Sequence, residues 1–267
     1  LTVEVRQYGV SATKSINING GSVNSKTTGH GSDGVGYALG GSDIKISSGT
    51  VTATSAQGPA ISTTNSVEIS GGTVNVTGGF HGISTKSLAI SGGTVTVEGD
   101  WNGIKAEENI TISGGTVAAK SNKSSYKGIY AGGTIEIKNG TACVTANGNS
   151  GAIEGSKITI GDALMIQEPT GGKLSGDGKV IQNADDTTAT HTVIVPKEAE
   201  KFPVEVVITT HDKDGNVIST VGGTATADKT EVAKGDTITV TVTPNPGFEL
   251  ESIEFSDGVT GGYQAGK

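Results

Sequence analysis

Cysteine is nearly missing from this 267-residue sequence. With Cys143 alone, no internal disulfide can hold the fold. Cys143 sits in the alternating stretch Thr141-Ala-Cys-Val-Thr145 and reads as a small buried apolar side chain. A catalytic thiol would need a base beside it, and His30, His81, His191 and His211 are all distant along the chain. Proline is also scarce, at 6 residues. The 43 glycines follow no three-residue period, so a collagen helix is excluded. No apolar run approaches the roughly 20 residues of a membrane-spanning helix. Positive charge is in deficit, with a formal net charge of -8. That argues against a nucleic-acid partner, which usually leaves a basic stripe, and against attachment to an anionic membrane surface. Aromatic residues are only 4% of the chain, so their positions carry information.

What remains is rich in Thr, Ser, Val and Ile, the β-forming types, punctuated by glycine. A phrase recurs: Gly21-Ser-Val23, Gly49-Thr-Val51, Gly72-Thr-Val74, Gly93-Thr-Val95, Gly115-Thr-Val117 and Gly140-Thr-Ala142. Before each lies an apolar pair spaced by two: Ile16/Ile18, Ile44/Ile46, Val67/Ile69, Leu88/Ile90, Ile110/Ile112 and Ile135/Ile137. A seventh pair, Ile158/Ile160, lacks the phrase. Five or six residues before most pairs stands a lone apolar residue: Leu39, Ile61, Ile83, Ile104, Ile129 and Ile153. Each unit of about 22 residues therefore holds three short strands that cannot bury their own apolar face. Stacking buries it, because each isoleucine then lies on that of the next coil. The expected fold is all-β: a right-handed parallel β-helix of about seven rungs, about 4.8 Å apart. The glycine pairs mark a corner where φ > 0 is needed. A leucine-rich horseshoe needs a helical return segment, and a propeller blade about 40–50 residues; neither fits.

The β-helix is expected over 1–195. Leu1 to Val10 supplies a cap or a first incomplete rung, and His191-Thr-Val-Ile-Val195 a closing strand. Residues 196–203, charged and with two prolines, read as a linker. Residues 204–267 read as a small all-β domain, with strands at Val204–Thr209, Asn216–Thr220, Gly223–Ala227, Asp236–Val242 and Phe248–Phe255. The loop Asp212-Lys-Asp-Gly215 reads as a plain hairpin turn, since it lacks the other ligands of an EF-hand loop. The chain opens directly in a strand-like segment and reads as a mature or trimmed secreted chain, and Gly261–Lys267 reads as a strand cut short.

Three of the few aromatics fall at one place. Phe80, Trp101 and Tyr126 each precede the lone isoleucine of their rung by three residues. His81, Asn102 and Lys127 form the next column, and Tyr130 follows Ile129. Rings on consecutive rungs either stack as a stabilising ladder or form the floor for a sugar chain, with polar neighbours bonding its hydroxyls. The two readings are compatible. Catalytic chemistry has less support. Polysaccharide lyases of β-helical fold use a basic residue, usually Arg, and this chain has only Arg6. A glycosidase needs two facing carboxylates. Glu98 with Asp100, and Glu107 with Glu108, border turns where solvated acidic residues are common.

Two resemblances follow from these phrases. Asn102-Gly-Ile-Lys-Ala106 with Ile110-Thr-Ile-Ser-Gly-Gly-Thr-Val117 resembles the carbohydrate-binding-domain family of β-helical surface proteins of clostridia and related gut bacteria. That resemblance implies an extracellular or cell-surface location and a polysaccharide or glycan partner. It also implies calcium as a candidate, although the family phrase carries Asp where this chain has Asn102; among the acidic turns the residues that could ligate it are Asp100, Asn102 and Glu107. Ala233-Lys-Gly-Asp-Thr-Ile-Thr-Val-Thr-Val-Thr-Pro-Asn-Pro-Gly-Phe-Glu-Leu250 resembles the internalin B-repeat surface domain. The expected function is non-catalytic polysaccharide binding along the aromatic column. The alternatives are a structural or adhesive stalk with a host or cell-wall protein partner and, third, a lyase or hydrolase.

Overall fold

The computed structural model describes residues 1–29, 36–198, 201–233, 236–250 and 252. The described residues contain strands and turns and no α-helix, so no helix is long and apolar enough to cross a membrane. Two compact units are present, Leu1–Lys197 and Glu198–Lys267.

The first unit is a parallel β-helix of about seven rungs, whose rungs pair as the repeat predicts. In the first sheet Val10, Leu39, Ile61, Ile83, Ile104, Ile129 and Ile153 stand in parallel register. The second sheet stacks the apolar pairs from Ile16/Ile18 to Ile158/Ile160. The third stacks Val23, Val51, Val74, Val95 and Val117. These side chains close the interior: Leu39, Ile61, Ile83, Ile104 and Ile129 are all 0% exposed. Burying each such side chain stabilises the fold by about 1.5–3 kcal/mol.

On the sixth rung the phrase slips. Val117 pairs with Val144, not with Ala142, and the register shifts at Gly115/Thr116. Ala142 is exposed, and the buried Thr141 hydroxyl donates to the carbonyls of Lys138 (2.8 Å) and Ile112 (3.2 Å). Cys143 is half-buried on the outer face, its Sγ 3.7 Å from Thr145 Oγ1, rather than a core residue. Alternation puts it there in either register, opposite Thr116 as observed or opposite Ala118 had the phrase aligned.

The phrase glycines occupy the left-handed region on all six rungs, with φ between 71° and 94°. Space adds a second reason. A Cβ on Gly93 would lie 2.6 Å from the carbonyl oxygen of Gly72 one rung below. From Gly49 to Gly115 the glycines therefore form a ladder of their own, each leaving room for the carbonyl of the one before it.

Both ends of the helix are finished by strands. Thr2–Val5 pairs with Asn24–Thr27, so it is the third strand of an incomplete rung that precedes the first full one. At the other end His191–Pro196 runs antiparallel to Thr141–Asn147 and to Leu164–Glu168. Ile194 lies opposite Val144 and is fully buried. An antiparallel strand breaks the parallel repeat and covers its edge.

The second unit is sparser in regular structure. Lys201–Pro203 pairs with Glu231–Ala233, Thr210–His211 with Val217–Ile218, and Gly223–Ala227 with Val240–Pro244, all antiparallel. Pro196 ends the closing strand of the helix, and Lys201–Pro203 is paired within the second unit. The strand expected over Val204–Thr209 is not formed; strand begins at Thr210. The one expected over Asp236–Val242 is confined to its second half and runs on to Pro244. Residues 248–250 and 252 are not strand, and the rest of Phe248–Phe255, with Gly261–Lys267, lies outside the described residues. At the hairpin tip Gly215 has φ 82°, and Asp212 Oδ1 accepts from the Asp214 and Asn216 amides, both at 2.9 Å. Those bonds, led by the Asn216 amide, hold the Asp212 carboxyl below its ordinary pKa.

Candidate functional site

The corner between the third sheet of one rung and the first sheet of the next sets the site. There the chain reads Gly78-Gly-Phe80-His81-Gly82 and, one rung on, Gly99-Asp-Trp101-Asn102-Gly103. The turn is tight. A Cβ on Gly99 would stand 2.2 Å from the Asn102 carbonyl oxygen. With backbone meeting backbone, the Phe80 and Trp101 rings have no room inside the turn and stand at the outside of the corner. Ladder bonds hold them level: the Trp101 amide donates to Phe80 O at 2.9 Å, and the Gly82 amide to Asn102 O at 3.2 Å.

Phe80, Trp101 and Tyr126 stack in sequence. The Phe80 and Trp101 centroids are 4.7 Å apart with planes at 21°, and those of Trp101 and Tyr126 are 5.1 Å apart at 4°. Both lie within the offset-stacked range. With planes in contact at about 3.5 Å, these distances mean that successive rings are slid past one another by roughly 3–4 Å. The rings overlap like shingles, each covering part of its neighbour. Phe80, at one end, is 36% exposed, while Trp101 and Tyr126 are half-buried.

The neighbouring column is more structural than its polarity suggests. Asn102 is 7% exposed, and its Oδ1 accepts the Lys127 amide at 2.8 Å, tying two rungs together. Lys127 Nζ donates to Ser150 Oγ at 2.9 Å and pairs with Glu154 at 3.1 Å. The His81 ring stands edge-on to Trp101, with centroids 5.5 Å apart at 82°. Its Nδ1 is buried without a hydrogen-bond partner. Burial, reinforced by the charge of Lys105, pushes the His81 pKa down to about 4. The ring is therefore neutral at physiological pH, which leaves it with one donor and one acceptor nitrogen. Tyr130 is on the outer face of the first sheet, level with Lys105 on one side and Glu154 on the other.

Asp100, Asn102 and Glu107 do not converge. Asp100 pairs with Lys123 at 3.3 Å, and Asn102 Oδ1 is occupied by a backbone amide. Glu107 lies beyond the strand Ile104–Ala106, at the next corner. Calcium takes 6–8 oxygen ligands, and this set does not fit it. Among the described residues no group of three or more His, Cys, Asp or Glu side chains could hold a metal ion. The carboxylates weighed for catalysis are engaged in part, Asp100 with Lys123 and Glu108 with Lys86 at 3.3 Å. His191 is placed between Asn147 and Glu168 on the closing strand, its Nε2 2.9 Å from the Glu168 carboxylate. His30 lies outside the described residues.

A second aromatic pair escaped the sequence reading. Tyr8 and Tyr37 are in register on the first two rungs, centroids 4.8 Å apart at 45°. The signal was present, since each stands two residues before the lone apolar residue of its rung, where later rungs carry His81, Asn102 and Lys127. A shallow groove of about 280 Å³ lies elsewhere, over the second sheet, between Asn17, Lys45, Glu68 and the row Ser47, Ser70, Ser91. It has no aromatic lining and its Lys45 and Glu68 are paired at 2.9 Å, so it has less to offer a sugar ring than the stack.

Two family profiles match the sequence. That of the carbohydrate-binding domain-containing proteins covers residues 29–172, more than half of the chain. That of the divergent InlB B-repeat domain covers residues 216–265, in the second unit. No curated protein and no solved structure matches the chain.

Proposed function

This chain belongs to the family of carbohydrate-binding domain-containing proteins, and we propose that it is a non-catalytic binder of polysaccharide at the bacterial cell surface. The glycan lies along the offset rings of Phe80, Trp101 and Tyr126. The observation that carries this reading is the partly uncovered stack on three consecutive rungs. A pyranose presents an apolar C–H face that packs on an aromatic face, and its rim of hydroxyls needs polar partners. Tyr130, Lys127 and the neutral His81 supply donors and acceptors beside the rings.

The test is electrophoresis of the intact chain in gels containing soluble xylan, pectin, mannan or mucin glycan, with calcium or with chelator. At least one glycan should retard the wild-type protein, and Trp101→Ala should abolish that retardation while the melting curve stays cooperative. Because the substitution removes two ring contacts, a stability loss of about 1–3 kcal/mol accompanies it. Unchanged retardation of Trp101→Ala would sink the aromatic site. A second reading has an observation of its own: the rings shield one another, as a purely structural ladder would. On that reading the β-helix is a stalk with a host or cell-wall protein as partner, and Trp101→Ala lowers stability without touching any glycan affinity.

A further inference from the structure

Tyr37 lies against the outer face of the first sheet. A Cβ on Gly40 would fall 2.1 Å from Tyr37 Cε2 and 2.6 Å from its Cζ, so the ring covers the place where a side chain at position 40 would stand. Its hydroxyl reaches Ser11 Oγ on the adjacent rung, at 3.0 Å. The ring thus runs along the sheet surface, and the glycine beneath it is a seat. Gly40 has an ordinary negative φ, so its lack of a side chain serves the ring and not the backbone.

From that seat the same outward position continues in unbroken register. Gly40 pairs with Ser62, Ser62 with Ser84, Ser84 with Lys105, and Lys105 with Tyr130. Two tyrosines therefore flank a stretch of short hydroxyls and one amine, in a row that runs on to Ser11 before Gly40 and to Glu154 after Tyr130. Phe80, Trp101 and Tyr126 line the corner that borders this row on rungs four to six. Four rung intervals of about 4.8 Å make the row about 19 Å long.

We infer that the outer face of the first sheet, from Tyr37 to Tyr130, is an extended track for a linear, unbranched glycan of about five residues, with Tyr37 and Tyr130 as its terminal platforms. The inference rests on the glycan-binding reading above and adds to it a direction, a length and residues that the ring stack alone does not contain. The chain runs parallel to the helix axis, roughly one sugar per rung. Ser62, Ser84 and Lys105 bond its hydroxyls, and the ring stack forms the side wall. A branch would meet the wall, so branched glycans are discriminated against.

The test uses xylo-oligosaccharides from dimer to hexamer, with manno- and galacturono-oligosaccharide series in parallel, titrated calorimetrically into the intact chain. For the series that binds, affinity should climb with length to about the pentamer and then level off. Tyr37→Ala should lower pentamer affinity about three- to tenfold while leaving dimer affinity unchanged. Tyr37→Phe should restore it. Gly40→Ser, which displaces the ring and keeps the tyrosine, should reproduce the length-dependent loss, and it guards against a folding defect in Tyr37→Ala. Trp101→Ala should weaken every length. If affinity is already maximal at the dimer, or if Tyr37→Ala and Gly40→Ser bind all lengths as wild type does while Trp101→Ala does not, the track is overturned and the ring-stack site stands. If no series binds the wild-type chain, both fall together.

Discussion

The interior and the corner of the same rungs obey different rules. Inside, the position that begins each rung is Val, Leu or Ile from Val10 to Ile153. Two residues earlier, at the corner, the same seven rungs carry Tyr8, Tyr37, Pro59, His81, Asn102, Lys127 and Gly151. An interior side chain is bounded by the rungs above and below and by two other sheets, so a change of shape on one rung is felt by its neighbours. A corner side chain meets its neighbours mainly along the column, and only some of them, such as Asn102, are buried there. The repeat therefore leaves chemistry free to vary at the corner, and the aromatics concentrate there.

That contrast can be broken from the inside first. Ile104 lies between Ile83 and Ile129 and is 0% exposed. Ile104→Ala should cost about 2–5 kcal/mol in denaturant unfolding, more than any single corner substitution. A loss below 1 kcal/mol would mean that the stack closes over the gap and that its columns are softer than their burial suggests. The glycine ladder allows a finer cut. Gly93 has φ 85° and a carbonyl oxygen 2.6 Å from its absent Cβ, whereas Gly21 has φ 71° and nothing within 4 Å. Gly21→Ala should cost about 1–2 kcal/mol from backbone conformation alone. Gly93→Ala should cost clearly more, and equal losses would show that rung contact adds nothing to conformation.

The smallest effect expected is electrostatic and belongs to the corner. His81 titrates near pH 4 in the folded chain against 6.5 ordinarily. Between those values the unfolded chain binds the extra proton, so stability falls as pH drops from 6.5 to about 4, and His81 adds no slope above that window. His81→Asn, which copies the next rung, should flatten the melting temperature across the window. The carboxylates held below their ordinary values, Asp43 and Asp162 among them, add a slope of the same sign only below about pH 5, so the upper part of the window is where His81 is read. A wild-type slope that survives in His81→Asn would assign it to another group.

The two units differ in legibility for a related reason. In the helix, each strand assignment is supported by the same residue types recurring on every rung, so a single ambiguous segment is corrected by its neighbours. In the second unit, Val204–Thr209 is rich in β-forming residues, yet among the described residues its backbone is tied only at Val204, whose amide donates to Thr230 O at 2.9 Å, and it is not strand. Such residues report a preference for a pleated surface; pairing decides whether that surface exists.

At the site, sequence spacing placed Phe80, Trp101 and Tyr126 in one column, because equal distances from a stacked isoleucine force equal positions on the rung. It also placed His81, Asn102 and Lys127 together, without revealing that Asn102 is buried and bonded to the chain above it. Spacing could not reveal the bulge that puts Val144 rather than Ala142 in the valine column, since Ala142 looks like the phrase valine until the register is seen.

By itself, then, the sequence determined the repeat, the three interior columns, the glycine corner and the alignment of the rings. All of these follow from period and residue size, which are local quantities. Tertiary structure alone decided that the rings overlap with an offset, that Tyr37 rests on Gly40, and that the closing strand expected at His191–Val195 runs antiparallel. Those depend on how far side chains reach across rungs and on the direction in which a returning segment covers an open edge. Neither is encoded in the spacing of a single coil, because both are relations between segments many residues apart.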